Sequence, residues 1–259
     1  MNSEQIQDLG RQLAEARKTD QTLAADFDQV ITQTADAWAV QAAALAHYGD
    51  DTIGYKIGAT SAEAQRLIGC DGPFFGKMFA RDAHSPGVSL PTRSGYLAIE
   101  CEFAFRLARA FPETGEDISA ETAAEAIASC HPALEIIGRR TAGNTLPGHH
   151  GSISDFALNA GFIAGEPIDN WQSLDLATHE VVGLVDGEET NRGTGAAVLG
   201  HPLNGLAWLA KALSDRGERL QAGEIVSTGT CLGIIPITPG HTITGDFGSA
   251  GTISVTFEG

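Results

Sequence analysis

Three glutamates and one lysine carry most of the chemical information in this 259-residue chain. In Ile99-Glu100-Cys101-Glu102-Phe103 the two acids stand two positions apart. Alternate side chains of an extended strand share a face, so Glu100 and Glu102 point one way while Ile99, Cys101 and Phe103 point the other. Two carboxylates brought together in a pocket repel unless a proton or a cation offsets them, and hard divalent ions take oxygen ligands. On a solvated strand face the same pair would need neither. Glu135 is a third acid, set in the apolar run His131-Pro132-Ala133-Leu134-Glu135-Ile136-Ile137-Gly138, where an unpaired carboxylate would be expensive. Pairing with Arg139 or Arg140 is one solution and metal ligation is the other. Three converging carboxylates with open coordination positions would hold water and a chelating substrate.

Lys56 is one of only four lysines, and it interrupts Ile53-Gly54-Tyr55-Lys56-Ile57-Gly58. Burial near a metal would lower its pKa and make it a proton donor or acceptor near neutrality; as an ammonium it would hold a substrate carboxylate. An edge-strand lysine reaching solvent along its stem fits the segment equally well. Ser227-Thr228-Gly229-Thr230-Cys231-Leu232-Gly233 offers hydroxyls and glycine-exposed N–H groups suited to small oxyanions, although a tight turn after a strand explains the same residues. No P-loop, dinucleotide fingerprint or G-x-S-x-G elbow is completed, and the eight histidines form no helix-spaced metal pair. His149-His150 falls in a Gly/Pro loop and reads as solvent-exposed.

The elements that must position these residues are mixed. From Ser3 to about Gly49 the pattern is helical: Ile6, Leu9 and Leu13 form one apolar stripe and Trp38, Ala42, Leu45 and Tyr48 another, with Thr34 as N-cap and Gly49 as stop. Beyond it come β-like runs at Thr52–Ala59, Leu97–Leu107, Phe156–Ala164, Glu180–Val185, Glu224–Ser227 and Thr252–Phe257. Helices are expected at Ser61–Ile68 behind a Thr60/Glu63 capping box, at Ala120–Ala128 and at Pro202–Leu213. Strands and helices do not alternate regularly, which argues against a doubly wound sheet and for an α+β chain. Residues 1–50 read as a helical segment packed on a β-rich catalytic body of residues 51–259.

Composition narrows the function. Asp and Glu number 33 against 16 Lys and Arg, a net charge of −17, so no basic field attracts nucleic acid or an anionic membrane. No run approaches the ~18 apolar residues of a membrane span. The opening MNSEQIQDLG lacks the basic start and apolar stretch of an export signal, which predicts a soluble, cytoplasmic protein. Cys70, Cys101, Cys130 and Cys231 match no zinc or redox spacing and read as reduced, mostly buried thiols.

Taken in order, GYKIGATS (54–61), IECEFAF (99–105), PALEIIGRR (132–140), ISDFALNAGFIAGEP (153–167), GAAVLGHPLNGLAWLAKAL (195–213) and GEIVSTGTCLG (223–233) resemble the 2-keto-4-pentenoate hydratase / 2-oxo acid decarboxylase family of the fumarylacetoacetate hydrolase superfamily. The resemblance implies a mixed β-roll behind N-terminal helices, a Mg²⁺ or Mn²⁺ ion, and short 2-oxo or 2-hydroxydienoic acid substrates from aromatic catabolism. By position it puts Glu100, Glu102 and Glu135 on the metal ligands and Lys56 on the active-site lysine, with Asp155, Thr228 and Gly229 as substrate-binding residues. It also implies a homo-oligomer, and some hydratases of the family associate with a related decarboxylase.

One position departs from the family pattern. Hydratases of the family carry an acid just before the Phe-Gly of the loop that follows the lysine strand, where Asp71-Gly72-Pro73-Phe74-Phe75-Gly76 has Phe74. Asp71 is the nearest acid in sequence and becomes the candidate catalytic group, with Phe74 lining an apolar wall. The leading expectation is a metal-dependent hydratase converting a 2-hydroxyalka-2,4-dienoate to a 4-hydroxy-2-oxo acid. Decarboxylation or C–C hydrolysis of a related 2-oxo acid uses the same enolate chemistry, and a non-catalytic partner subunit is the third reading.

Overall fold

Helix formation begins where the sequence offers a reciprocal cap. In the computed structural model, which describes residues 1–143 and 145–259, the Asn2 side chain accepts from the Gln5 N–H while Gln5 returns to the Asn2 N–H, starting α1 (Ser3–Thr19). A short α2 (Phe27–Val30) leads to α3 (Thr34–Tyr48), which Gly49 ends at φ 66°. Gln33, not Thr34, is the N-cap, and it makes no side-chain cap bond. The two long helices approach closely at Gly10, where a Cβ would stand 2.5 Å from that of Ala43. Leu13, Phe27, Ile31, Val40 and Tyr48 then bury against Phe74, Phe79 and Phe156, so the helices share one apolar cluster with the β structure.

Two mixed sheets form the remainder. The larger runs β2 (Phe74–Phe79), β1 (Thr52–Gly58), β10 (Ile225–Pro236), β5 (Tyr96–Leu107), β6 (Ile127–Gly138), β7 (Asn159–Ala164) and β3 (Ala83–His84). The smaller runs β4 (Val88–Pro91), β12 (Thr252–Glu258), β11 (Thr242–Asp246), β8 (Glu180–Val185) and β9 (Glu188–Thr194). Parallel pairing joins β1 to β10, β3 to β7 and β4 to β12, and the other ladders are antiparallel. Between strands lie α4 (Ala62–Ile68), α5 (Ala120–Glu125), α6 (His149–Ser154) and α7 (Pro202–Ser214). The expected α+β class holds, and no helix of the described residues is long and apolar enough to cross a membrane.

Strand periodicity separates core from chemistry. Tyr55 and Ile57 of β1, Ile99, Cys101, Phe103 and Phe105 of β5, and Leu134 and Ile136 of β6 pack with Ile243, Ile253, Val255 and Phe257 of the smaller sheet. Each such side chain contributes roughly 2 kcal/mol on burial. A slip of one residue would turn Glu100, Glu102 and Glu135 into this core, so apolar packing fixes the register that presents them on the opposite face.

Several local expectations are corrected. Ser61, not Thr60, caps α4, its Oγ accepting from the Ala64 N–H at 3.1 Å. Helix α5 stops at Glu125 because Ile127 already belongs to β6. Phe156, Ala157 and Leu158 do not extend β7: all three adopt positive φ (51°, 53° and 62°) in a left-handed turn. Strand β10 continues through Thr228-Gly229 with two register irregularities, where a terminal turn was the alternative. All four cysteines are unpaired, with Cys101, Cys130 and Cys231 buried and Cys70 half-buried.

Gly54 tests how closely β1 and β10 must approach. Its φ is 148°, and a Cβ there would lie 1.8 Å from the Ile225 carbonyl oxygen. Gly54→Ala is expected to destabilise the fold by about 2–4 kcal/mol in urea unfolding, by forcing the strands apart. A loss under about 0.5 kcal/mol would show that the pairing yields easily.

Candidate metal centre

Strand register assembles the site. Antiparallel β5–β6 pairing sets Glu100 opposite Glu135, with Glu102 two residues further along the same face, and parallel β1–β10 pairing sets Lys56 opposite Ser227. One carboxylate oxygen from each glutamate lies within 4.8 Å of the others. Ligands of one ion at about 2.0–2.6 Å stand no more than about 5 Å apart, so the separation suits a shared cation.

Glu102, Glu135 and Lys56 each have a defined partner. Glu102 Oε2 accepts from Ser227 Oγ at 2.5 Å and from the Gly229 N–H at 2.9 Å. Glu135 Oε1 accepts from Asn159 Nδ2 at 3.0 Å, and Lys56 Nζ stands 3.4 Å from Glu135 Oε2 while donating to the Ala157 carbonyl at 3.0 Å. Glu102 Oε1 and Glu135 Oε2 are buried with no hydrogen-bond partner among the described residues. Leaving a buried acceptor unmade costs about 1–3 kcal/mol, more if it is charged. Two buried oxygens that accept no hydrogen bond, in an all-carboxylate donor set, fit a hard divalent cation. The alternative of an ion pair from Glu135 to Arg139 or Arg140 is not realised: Arg139 donates to the carbonyls of Thr141 and Thr145, and Arg140 pairs with Asp155.

The electrostatics follow from burial. Glu102 and Glu135 are fully buried and Lys56 is 2% exposed. Burial, reinforced by the neighbouring carboxylates, pushes Glu100 up to about 7 and Glu102 and Glu135 to about 8, with Lys56 opposing the rise. For Lys56, burial works against the ammonium but is outweighed by Glu135, Glu100 and Glu102, so its pKa lies above the ordinary lysine value. Without a bound cation, this charge set favours the ammonium form of Lys56.

Lys56 and Glu100 line a cavity of about 480 Å³ whose walls include Phe74, Ile137, Leu158, Leu232 and Ile234. The other expected site residues do not reach it. Asp71 is exposed and not among the lining residues. Asp155 is fully buried, both its oxygens held at 2.5 Å by the Arg140 N–H and Nε, so it is a structural partner of that arginine and not a substrate contact. Thr228 turns inward to donate to the Phe103 carbonyl at 2.8 Å, and the Gly229 N–H is consumed by Glu102. Thr230, Cys231, Leu232 and Gly233 are the residues of that segment that line the cavity. Ser227, singled out only as one of a run of hydroxyls for a small oxyanion, holds Glu102 instead, and Asn159 was not among the expected residues; a lone amide in the apolar run from Phe156 to Ala164 was the available signal for it.

The raised carboxyl pKa values set a pH dependence for the metal-free protein. A glutamate that titrates near 4.5 in the unfolded chain and near 7–8 in the folded one makes the folded state bind more protons between those values. Stability is present in full below the unfolded pKa and falls as pH rises through the folded pKa. EDTA-treated protein is expected to lose a few kcal/mol between about pH 5 and pH 8, and Glu102→Gln to flatten that slope. Melting temperatures that stay level or rise across the window in EDTA would contradict this account.

The comparisons with known proteins agree with this architecture. Residues 58–258 match the family described as fumarylacetoacetate (FAA) hydrolase C-terminal. The chain is 31% identical over 210 residues to the 2-keto-4-pentenoate hydratase of Burkholderia vietnamiensis, covering 81% of this chain and 79% of the relative. It is 31% identical to the 4-oxalocrotonate decarboxylase of Pseudomonas putida, covering 81% and 78%. The solved 4-oxalocrotonate decarboxylase of Pseudomonas putida G7, complexed with magnesium and adipate, superposes with a TM-score of 0.88 at 27% identity over 99% of this chain and 98% of that one. With its mixed sheets, N-terminal helices and matched sequence, the chain belongs to the fumarylacetoacetate hydrolase family.

Proposed function

We propose that this protein is a divalent-metal-dependent hydro-lyase that adds water to a 2-hydroxyalka-2,4-dienoate, giving a 4-hydroxy-2-oxo acid in aromatic catabolism. The observation that carries the reading is the convergence of two buried carboxylates, the half-buried Glu100 and Lys56 beside an apolar-walled cavity. Glu100, Glu102 and Glu135 are the residues that would hold the ion, Mg²⁺ or Mn²⁺. When bound, the ion supplies the positive charge that favours an enolate of a chelating 2-oxo acid.

The chain's own groups then divide the work. Lys56, fixed by the Ala157 carbonyl, holds and moves a proton as the dienol ketonises: the C2 hydroxyl loses its proton and C5 gains one, leaving a 2-oxo-3-enoate. Water adding at C4 of that enone, with a proton to C3, completes the hydration. Phe74, Ile137, Leu158, Leu232 and Ile234 exclude bulk water and receive the substrate's tail. Arg192, the other cation lining the cavity, is committed to Glu180 and Glu189. An apolar tail is therefore favoured over a second carboxylate. A cytoplasmic location, homo-oligomeric assembly and association with a related decarboxylase belong to the same proposal and are supported by family membership.

Decarboxylation is the second reading, favoured by Phe74 on the wall and by the exposure of Asp71, because loss of CO₂ requires no group to activate an attacking water. Product analysis separates the two. Wild-type enzyme with Mg²⁺ or Mn²⁺ is expected to form the 4-hydroxy-2-oxo acid and to prefer alkyl-tailed dienoates over carboxylate-tailed ones at least tenfold in kcat/KM; CO₂ as the sole product would overturn the hydratase reading. Lys56→Met should lower turnover by about 10²-fold or more while Mn²⁺ still binds. Asp71→Asn, altering an exposed residue away from the cavity, should stay within about twofold of wild type.

A further inference from the structure

Arg17 is a charged residue buried to 6% exposure near the end of α1, remote in sequence from every group at the metal centre. Its guanidinium carbon lies 5.3, 4.6 and 4.8 Å from the ring centroids of Tyr48, Phe79 and Phe156. Nε and Nη2 donate to Asp82 Oδ2 at 3.2 and 2.7 Å. Two further bonds go to one residue: Nη1 donates to the Asn159 carbonyl at 2.7 Å and Nη2 to Asn159 Oδ1 at 3.0 Å. The other end of that amide, Nδ2, is the donor to Glu135 Oε1.

The two ends of an amide are nearly equal in size, so packing does not choose between them; hydrogen bonding does. A guanidinium only donates and an ionised carboxylate only accepts. A flipped Asn159 would set its NH₂ against Arg17 and its oxygen against Glu135, losing both bonds. Arginine keeps its charge at any working pH, so the bias is permanent. Asp82 offsets that charge locally, which leaves amide orientation as the route by which Arg17 acts on Glu135.

We infer that Arg17 is a positioning residue of the metal centre: it fixes the Asn159 amide, which claims Glu135 Oε1 and leaves Oε2 turned toward Lys56 and the other glutamates. The inference rests on the proposed ion at those glutamates. Arg17 lies outside the 58–258 span that matches the family, so the N-terminal helix adds a component of its own to the site.

The test is calorimetric titration with Mn²⁺, which needs no substrate. Arg17→Met and Asn159→Leu should each weaken Mn²⁺ binding about 10-fold or more, the usual effect of removing a group that orients a ligand. The double variant should lose no more than either single one, because both changes break the same link. Arg17→Lys keeps a donor-only cation and should restore affinity to within about threefold of wild type. Leu13→Ala, a cavity in the same helix packing, should lower the melting temperature with Mn²⁺ affinity unchanged. If Arg17→Met does not fold, Asn159→Leu and Arg17→Lys decide. Unchanged affinity in Asn159→Leu, or equal losses in Arg17→Met and Leu13→Ala, overturns the inference while leaving the metal proposal standing; wild type that binds no Mn²⁺ overturns both.

Discussion

Two buried carboxylates and the half-buried Glu100 crowd around a single ammonium, and much of the surrounding structure exists to make that imbalance tolerable. Desolvating a charge costs several kcal/mol even after relaxation, and a like-charged neighbour adds to it. One ion pair, Lys56 to Glu135, cannot offset three acids. The protein's remedy is directional. Ser227 and Gly229 hold one oxygen of Glu102, Asn159 holds one oxygen of Glu135, and among the described residues the opposite oxygens accept no hydrogen bond, Glu135 Oε2 facing only the Lys56 ammonium. Such an arrangement is costly as a metal-free fold and economical as a cation site, which is why the family's β architecture and the acid cluster read as parts of one device.

The supports sit where backbone regularity fails. Strand β10 shifts register on both sides of Thr230, and the first shift is what lets the Gly229 N–H turn to Glu102. The left-handed turn at Phe156–Leu158 places three side-chain-bearing residues at positive φ, at a cost of roughly 1–2 kcal/mol each. It delivers the Ala157 carbonyl to Lys56, the Leu158 side chain to the cavity and Asn159 to Glu135. Phe156 meanwhile anchors the turn among Tyr48 and Phe79, so packing with the N-terminal helices offsets strain incurred beside the site.

What could be read from the chain follows from this division. Glu100 and Glu102 were legible because period-two alternation is local, and Lys56 because a lysine between glycines and apolar residues is anomalous. The pairing of β5 with β6 that sets Glu100 against Glu135 is a long-range register, which no local pattern encodes. Asp71 was misjudged because nearness in sequence says nothing about which way a loop residue points. Asp155, Thr228 and Gly229 lie in the right segments, but their polar groups are spent on Arg140, the Phe103 carbonyl and Glu102. Arg17 gave no signal at all, since a basic residue in a helix's last turn is explained by the helix dipole alone.

Phe74 gains a physical meaning in the same terms. Its ring centroid stands 6.0 Å from Lys56 Nζ, and its ring closes so tightly on β1 that a Cβ on Gly58 would meet it at 2.8 Å. An ionised acid at that distance would interact with the ammonium by about 3 kcal/mol at an effective dielectric near 20. Lys56 already holds its proton more firmly than an ordinary lysine because three glutamates surround it. A fourth carboxylate would tighten that hold further and deepen the charge imbalance. An aromatic ring avoids both effects and lowers the local dielectric, strengthening the interaction of Lys56 with whatever anion the cavity receives. On the proposed hydratase reading, phenylalanine at this position leaves Lys56 as the proton-handling group on this side of the cavity.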